Sequence, residues 1–210
     1  MLRGLFVTGT GTGVGKTVVS AALALRFHPR LSYWKPVQTG IERDDDTAEV
    51  RRLAGCPVAE GIRLPRPVSP HLAAKWCGMT IVLDDLKLPS ASPWIVEGAG
   101  GLLAPLNDKQ FIADLIRSLA LPVVVVARAG LGTINHTLLT LEAARARSLC
   151  IAGVVMVGDN NADNRAAIEH YGQVTVLGEM PVLQPLDAAS LARWSAAELD
   201  PRGRLLEFLE

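Results

Sequence analysis

The stretch richest in usable chemistry is VTGTGTGVGKTVVS, residues 7 to 20. A short apolar run enters a glycine-rich turn, and Lys16-Thr17 opens the segment beyond it. Successive backbone N–H groups in such a turn make an anion nest, and a helix start adds positive potential to it. A lysine there reaches the terminal phosphates of a nucleoside triphosphate, and a threonine offers its hydroxyl to Mg²⁺. The residues expected on the nucleotide are Gly13, Val14, Gly15, Lys16, Thr17 and Val18. The spacing is unusual, because a standard phosphate loop has four residues between its leading glycine and Gly-Lys-Thr. Here five residues separate Gly9 from Gly15. A dinucleotide turn fails on register, since glycine would be needed at 14 or 16, where Val14 and Lys16 stand.

These residues need strands and helices to hold them. Leu5 to Thr8 reads as a strand and Lys16 to Phe27 as a helix. Ser32 to Lys35 is a second strand, which Pro36 is expected to stop. Asp45 to Ala54 is expected to be helical, capped from the Asp44-Asp45-Asp46 run. Ser69-Pro70 marks another helix start. Trp94 to Val96 is a buried strand running into Glu97 and a glycine-rich turn. Further helices are expected at 110–119, 134–147 and 163–171, and strands at 123–127, 151–157 and 174–177, before C-terminal helices. Continuous apolar strands mean a sheet covered on both faces, hence parallel strands with crossover helices. The expected fold is α/β: a doubly wound, mostly parallel sheet with helices on both faces, of the P-loop NTPase kind. Ligands of such sheets sit at the carboxyl ends of the strands, where Thr8, Lys35, Glu97, Arg128 and Gly158 fall.

Composition sets the outer limits. A chain of 210 residues is expected to be one domain over 1–210. Lys+Arg and Asp+Glu balance at 21 each, so no bulk field draws nucleic acid or an anionic membrane as partner. A charged substrate must be met by local groups. The longest apolar runs, such as PVVVVA at 122–127, are far short of a membrane span, and a cytoplasmic protein is expected. Cys56, Cys77 and Cys150 show no metal-ligand spacing and read as core filler in a reduced compartment.

The loop G-T-G-T-G-V-G-K-T resembles that of dethiobiotin synthetases, and other segments do too. Lys35-Pro36-Val37-Gln38-Thr39-Gly40, Asp46 before an apolar-periodic helix, and Val96-Glu97-Gly98-Ala99-Gly100-Gly101 match the family pattern. So do Ser69-Pro70-His71, Leu131-Gly132-Thr133-Ile134-Asn135-His136 and Gly178-Glu179-Met180-Pro181. These matches run in order from residue 7 to about 183.

The resemblance implies an ATP-dependent ring closure that joins CO₂, or bicarbonate as its source, to 7,8-diaminononanoate. It makes Lys35 and Lys16 the catalytic cations, Lys35 meeting a carbamate and Lys16 the transferring phosphoryl group. Thr17, Asp46 and Glu97 would supply oxygen ligands to Mg²⁺, which prefers one or two carboxylates plus phosphates and water. Asp46 can equally be read as the helix cap, with Asp44 or Asp45 as ligand. Gly98, Ala99 and Gly100 join the ATP site, and Pro181, Val182 and Leu183 would contact the base. Thr12 and Thr39 would face the diamine, as would Gly132, Thr133 and Asn135 from the second subunit of a homodimer. The longer loop leaves room for Thr12 to do so.

Two departures stand out. Gly11 and Gly13 replace acids common in family loops, and Val157-Gly158-Asp159-Asn160 lacks the usual Asn-Asp pair, so loose base selectivity is expected. Two other readings compete: an assembly or switch ATPase of the nitrogenase-iron-protein-like group, and the ATP domain of a cobyrinate amidase. The first leaves the Lys35 segment unexplained. The second is expected to carry a glutaminase domain with a catalytic cysteine, which is not expected within these 210 residues.

Overall fold

The structure is a computed structural model that describes residues 4–89 and 93–209. Among these, seven strands form one sheet in the order β3-β2-β4-β1-β5-β6-β7, and each neighbouring pair runs parallel. The strands are β1 (Gly4–Gly9), β2 (Ser32–Thr39), β3 (Val58–Leu64), β4 (Trp94–Glu97), β5 (Val123–Arg128), β6 (Ile151–Val157) and β7 (Val176–Met180).

Alternate residues of the central strands feed two cores. Phe6, Val123, Val125 and Ala127 face a layer made by α3 (Pro70–Trp76), α4 (Ile112–Leu119), α5 (Thr133–Arg145) and α6 (Ala162–Gly172). Leu5, Val7, Val124 and Val126 face α1 (Lys16–Arg26), α2 (Asp46–Ala54) and α7 (Ala188–Glu198). Both faces are dry, which is why these strands read as unbroken valine runs. The chain winds outward from β1 to one edge and then to the other. The first crossover therefore opens at the centre of the sheet, where the strand order reverses and ligands bind.

Strand β3 was not expected from the sequence. It lies at the edge, pairs only with β2, and carries Glu60, Gly61 and Arg63, so no apolar run announces it. Pro36 does not stop β2 either. Ser32 N–H bonds toward β4 at Pro93 O (3.1 Å), and Tyr33 N–H toward β3 at Pro57 O (2.9 Å). By that alternation the Pro36 nitrogen faces β4, whose pairing with β2 ends at Trp34. No ladder bond is lost there. The strand opposite has Gly61, where a Cβ would lie 2.1 Å from Pro36 O. Of the cysteines only Cys56 is buried; Cys77, capping α3, and Cys150, before β6, are exposed.

Candidate active site

Beyond β1 the chain turns through Gly13 (φ 70°) and Gly15 (φ 99°), and α1 starts at Lys16. Gly15 is the helix cap in the left-handed region, and a Cβ there would press within 3.1 Å of Val157. This turn forms one wall of a cleft of about 980 Å³ at the carboxyl end of the sheet, and Thr12, Thr17, Lys35 and Thr39 also line it. Lys16 is buried, and its Nζ donates to Gly11 O at 3.0 Å, inside its own loop. Arg128, at the end of β5, donates to Gly13 O at 3.1 Å.

Four side chains meet on the cleft floor. Thr17 Oγ1 lies 2.9 Å from Asp46 Oδ1 and 3.1 Å from Glu97 Oε1, so its single proton serves one carboxylate at a time. Lys35 Nζ bridges the same two carboxylates, at 2.6 Å from Asp46 Oδ2 and 2.7 Å from Glu97 Oε1. Gly98 O accepts a further bond from it at 3.3 Å. The other oxygen of Glu97, Oε2, accepts from Ser20 Oγ (2.9 Å) and Tyr33 OH (3.0 Å). Glu97, Ser20 and Tyr33 are all fully buried.

The charge states reflect this geometry. Burial works against the Lys35 ammonium, but Glu97 and Asp46 outweigh it and hold its pKa above the ordinary lysine value. Burial pushes the Asp46 carboxyl up, yet the adjacent Lys35 and the Thr17 bond keep it below the usual aspartate range. Lys16 falls below its ordinary value: burial lowers it, Glu97 only partly compensates, and Lys35 adds to the lowering. Burial, reinforced by Glu97, raises the Tyr33 phenol well above its ordinary value.

The acidic run before α2 divides its work. Asp45 caps the helix, accepting from Ala48 N–H at 2.9 Å, and pairs with Arg63 at 2.8 Å. Asp46, the first helical residue, turns into the cleft, while Asp44 lines its rim. The oxygens also suit a hard cation. Cis ligands of an octahedron with about 2.1 Å bonds lie roughly 3.0 Å apart, close to the 2.9 and 3.1 Å from Thr17 to the two carboxylates. Among the described residues no group of three or more His, Cys, Asp or Glu gathers, so such a cation would need hydroxyl, phosphate or water oxygens as well.

The remaining expected residues are spread more widely. Gly13, Gly15, Val18, Ala99 and Gly100 line the cleft. Val14 is packed into the α1 core, and Gly98 sits against Phe6 and Ile112 behind the floor. Pro181, Val182 and Leu183 come after β7 and do not line the cleft. Gly132 caps α5, Thr133 is buried behind it, and Asn135 is exposed in its first turn; none of the three lines the cleft. Asn160 is exposed, and Asn161 caps α6 by accepting from Asn164 N–H. Sequence reasoning overlooked Ser20 and Tyr33. The available signals were a hydroxyl one helical turn after Thr17 and a phenol two strand positions before Lys35.

Comparisons with known proteins bear directly on this site. The family model for an AAA domain matches residues 3–190. The ATP-dependent dethiobiotin synthetase BioD of Paramagnetospirillum magneticum is 50% identical over 196 residues, covering 91% of this chain and 94% of that protein. The chain belongs to the dethiobiotin synthetase family. The BioD of Rhodopseudomonas palustris is 47% identical, covering 94% of this chain and 95% of that one. The biotin biosynthesis bifunctional protein BioCD of Bordetella avium is 50% identical, and the chain spans 42% of its length. Solved structures share the fold alone. A ParA family ATPase from Chlorobium tepidum aligns over 99% of this chain and 96% of its own, with a TM-score of 0.54 and 11% identity. The signal recognition particle 54 kDa protein of Aeropyrum pernix, in complex with GDP, aligns with a TM-score of 0.55 at 16% identity, over 100% of this chain and 49% of that one. Among the described residues no helix is long and apolar enough to cross a membrane.

Proposed function

We propose that this member of the dethiobiotin synthetase family works as one ATP-dependent synthetase domain that closes the ureido ring of dethiobiotin in the cytoplasm. One amine of 7,8-diaminononanoate adds CO₂ and loses a proton, giving a carbamate. The γ-phosphoryl group of ATP passes to a carbamate oxygen and ADP leaves. The second amine then attacks the carbonyl carbon of this mixed anhydride, the C–O bond breaks so that phosphate leaves with its oxygen, and the amine gives up a proton as the ring closes.

No step requires a protein nucleophile, so the residues position reactants and neutralise charge. The phosphate loop and Lys16 hold the triphosphate tail, and Lys35 holds the carbamate at its end. A point charge suits that task, because the carbamate oxygen must stay free for in-line attack. Thr17, Asp46 and Glu97 would hold Mg²⁺, which neutralises phosphate charge. Thr12 and Thr39 are assigned to the diamine. Gly98, Ala99 and Gly100 border the phosphates, and Pro181, Val182 and Leu183 the base. The observation that carries this reading is a second, fully buried lysine beside the phosphate loop, aimed at the residues that would hold the metal. Protein incubated with ATP, Mg²⁺, bicarbonate and the diamine should yield the ureido ring by mass spectrometry. Phosphate release indifferent to the diamine, with no ring, would sink the proposal.

The same reading makes a homodimer, with Gly132, Thr133 and Asn135 of one copy facing the other's loop. Its support is their position outside this copy's cleft beside Leu131 and Leu139, which are exposed to solvent. Lys16→Ala and Asn135→Ala proteins, each inactive alone, should regain about a quarter of the sites on subunit exchange. Verified exchange without recovered activity removes the shared site. Loose base selectivity is proposed as well, and strict dependence on ATP in a nucleotide panel would contradict it.

A further inference from the structure

We infer that the Lys35 ammonium is the resident counter-ion of the metal site, holding the Mg²⁺ position until metal and nucleotide arrive and displace it toward the cleft. The inference rests on the reading above, in which Thr17, Asp46 and Glu97 hold the metal.

Glu97 Oε1 is the pivotal atom. It lies 2.7 Å from Lys35 Nζ and 3.1 Å from Thr17 Oγ1, and its partner Oε2 is already taken by Ser20 and Tyr33. Glu97 therefore has one oxygen to offer a cation, and Lys35 is using it. Asp46 is in the same position, with Oδ1 on Thr17 and Oδ2 on Lys35. Glu97 is fully buried and Asp46 partly so, and two carboxylates this close need a cation between them, because burial raises the cost of their uncompensated charge. A divalent ion bound to the same oxygens would sit within a few ångströms of the ammonium, about where like charges repel most. The lysine has a flexible four-carbon stem and can withdraw. Its remaining partner on the floor is the backbone carbonyl Gly98 O. One side chain thus neutralises both carboxylates and, once expelled, carries a positive charge to the place where the carbamate is presented.

The test uses full-length, nucleotide-free protein titrated with Mn²⁺, free ion being read by electron paramagnetic resonance. Wild type should bind weakly. Lys35→Met, which removes the ammonium and keeps the stem's bulk, should bind one ion at least about tenfold more tightly. Its melting temperature should be low without metal and recover as Mn²⁺ is added. Unchanged or weaker binding by folded Lys35→Met overturns the inference. Asp46→Asn and Glu97→Gln must each weaken Mn²⁺–nucleotide binding; if they do not, the assignment of the metal ligands is what fails. A crystal of the wild type with Mn²⁺ and a non-hydrolysable ATP analogue needs no variant. Nζ should have left hydrogen-bond range of Glu97 Oε1, and Nζ still bridging both carboxylates refutes the exchange.

Discussion

Replacing Tyr33 with phenylalanine removes one buried oxygen and leaves the ring in place. The lost hydroxyl donates to Glu97 Oε2 at 3.0 Å, and Ser20 Oγ, at 2.9 Å, is left as the donor on that oxygen. A hydrogen bond to a charged group is worth about 1.5–3 kcal/mol. The middle of that range, roughly 2 kcal/mol, fits a bond of ordinary length between two fully buried side chains. At about 2–4 °C per kcal/mol for a chain of this size, the melting temperature should fall by roughly 4–8 °C. The phenol stays protonated throughout, since burial and Glu97 hold its pKa well above the ordinary 10.0. The effect should thus be constant between pH 6 and about 9. Ser20→Ala should cost a similar amount, and the double variant more than the sum, because Oε2 then has neither donor. The carboxylate would also be held by one donor fewer, so the Mg²⁺ dependence of turnover should shift in Tyr33→Phe with little change in the KM for the diamine. An exposed pair gives the control: Arg52→Ala, which breaks a 2.7 Å contact with Glu49, should leave the denaturant midpoint close to that of wild type. Unfolding free energies from denaturant titration for Tyr33→Phe and the double variant within about 0.5 kcal/mol of wild type would refute the reasoning.

The same geometry sets other outcomes. Gly15→Ala must place a Cβ at φ 99° and 3.1 Å from Val157, so it should lose at least about 1–2 kcal/mol and most nucleotide affinity, read by calorimetry. Arg128→Ala removes the bond to Gly13 O and should raise the KM for ATP several-fold with kcat nearly intact; an equal fall in kcat would contradict a loop-ordering role. Asp46 binds its proton more weakly folded than unfolded, so the unfolded chain gains protons first on acidification. Its contribution is present above the ordinary value of 3.8 and is lost as pH falls through 3.8 toward the lower folded value. Urea midpoints of wild type should therefore drop more steeply below that pH than those of Asp46→Asn. Gly61→Ala should weaken the β2–β3 edge through its 2.1 Å approach to Pro36 O, visible as faster amide exchange in β3.

Much of this architecture could be read from the chain because the central strands are bare apolar runs, and the phosphate loop has a fixed local spacing. What escaped was non-local or depended on edges. The mixed residues of β3 pair with β2 alone, so no dry second neighbour forces an apolar pattern on them. Pro36 looked like a stop because its missing N–H matters only where a partner strand exists, and β4 has left by then. Ser20 and Tyr33 serve a carboxylate 77 and 64 residues away, and no periodicity encodes such a link. The Asp44–Asp46 run was legible as helix cap plus candidate ligand. Which aspartate did which became clear only with the helix start at Asp46 and the Asp45–Arg63 pair.

The brevity of β4 has a consequence of its own. It has four residues, and its last, Glu97, stands beside Val7 of β1. Strand faces alternate, so inserting a single amino acid between Trp94 and Glu97 would turn the acid over to the layer of Phe6 and Ile112, where Val96 now packs. Every neighbour could keep its identity and the pocket would still lose its anion. The cleft floor is held by a counting frame as much as by chemistry, and a slip of one position there should silence the protein without touching a single polar group.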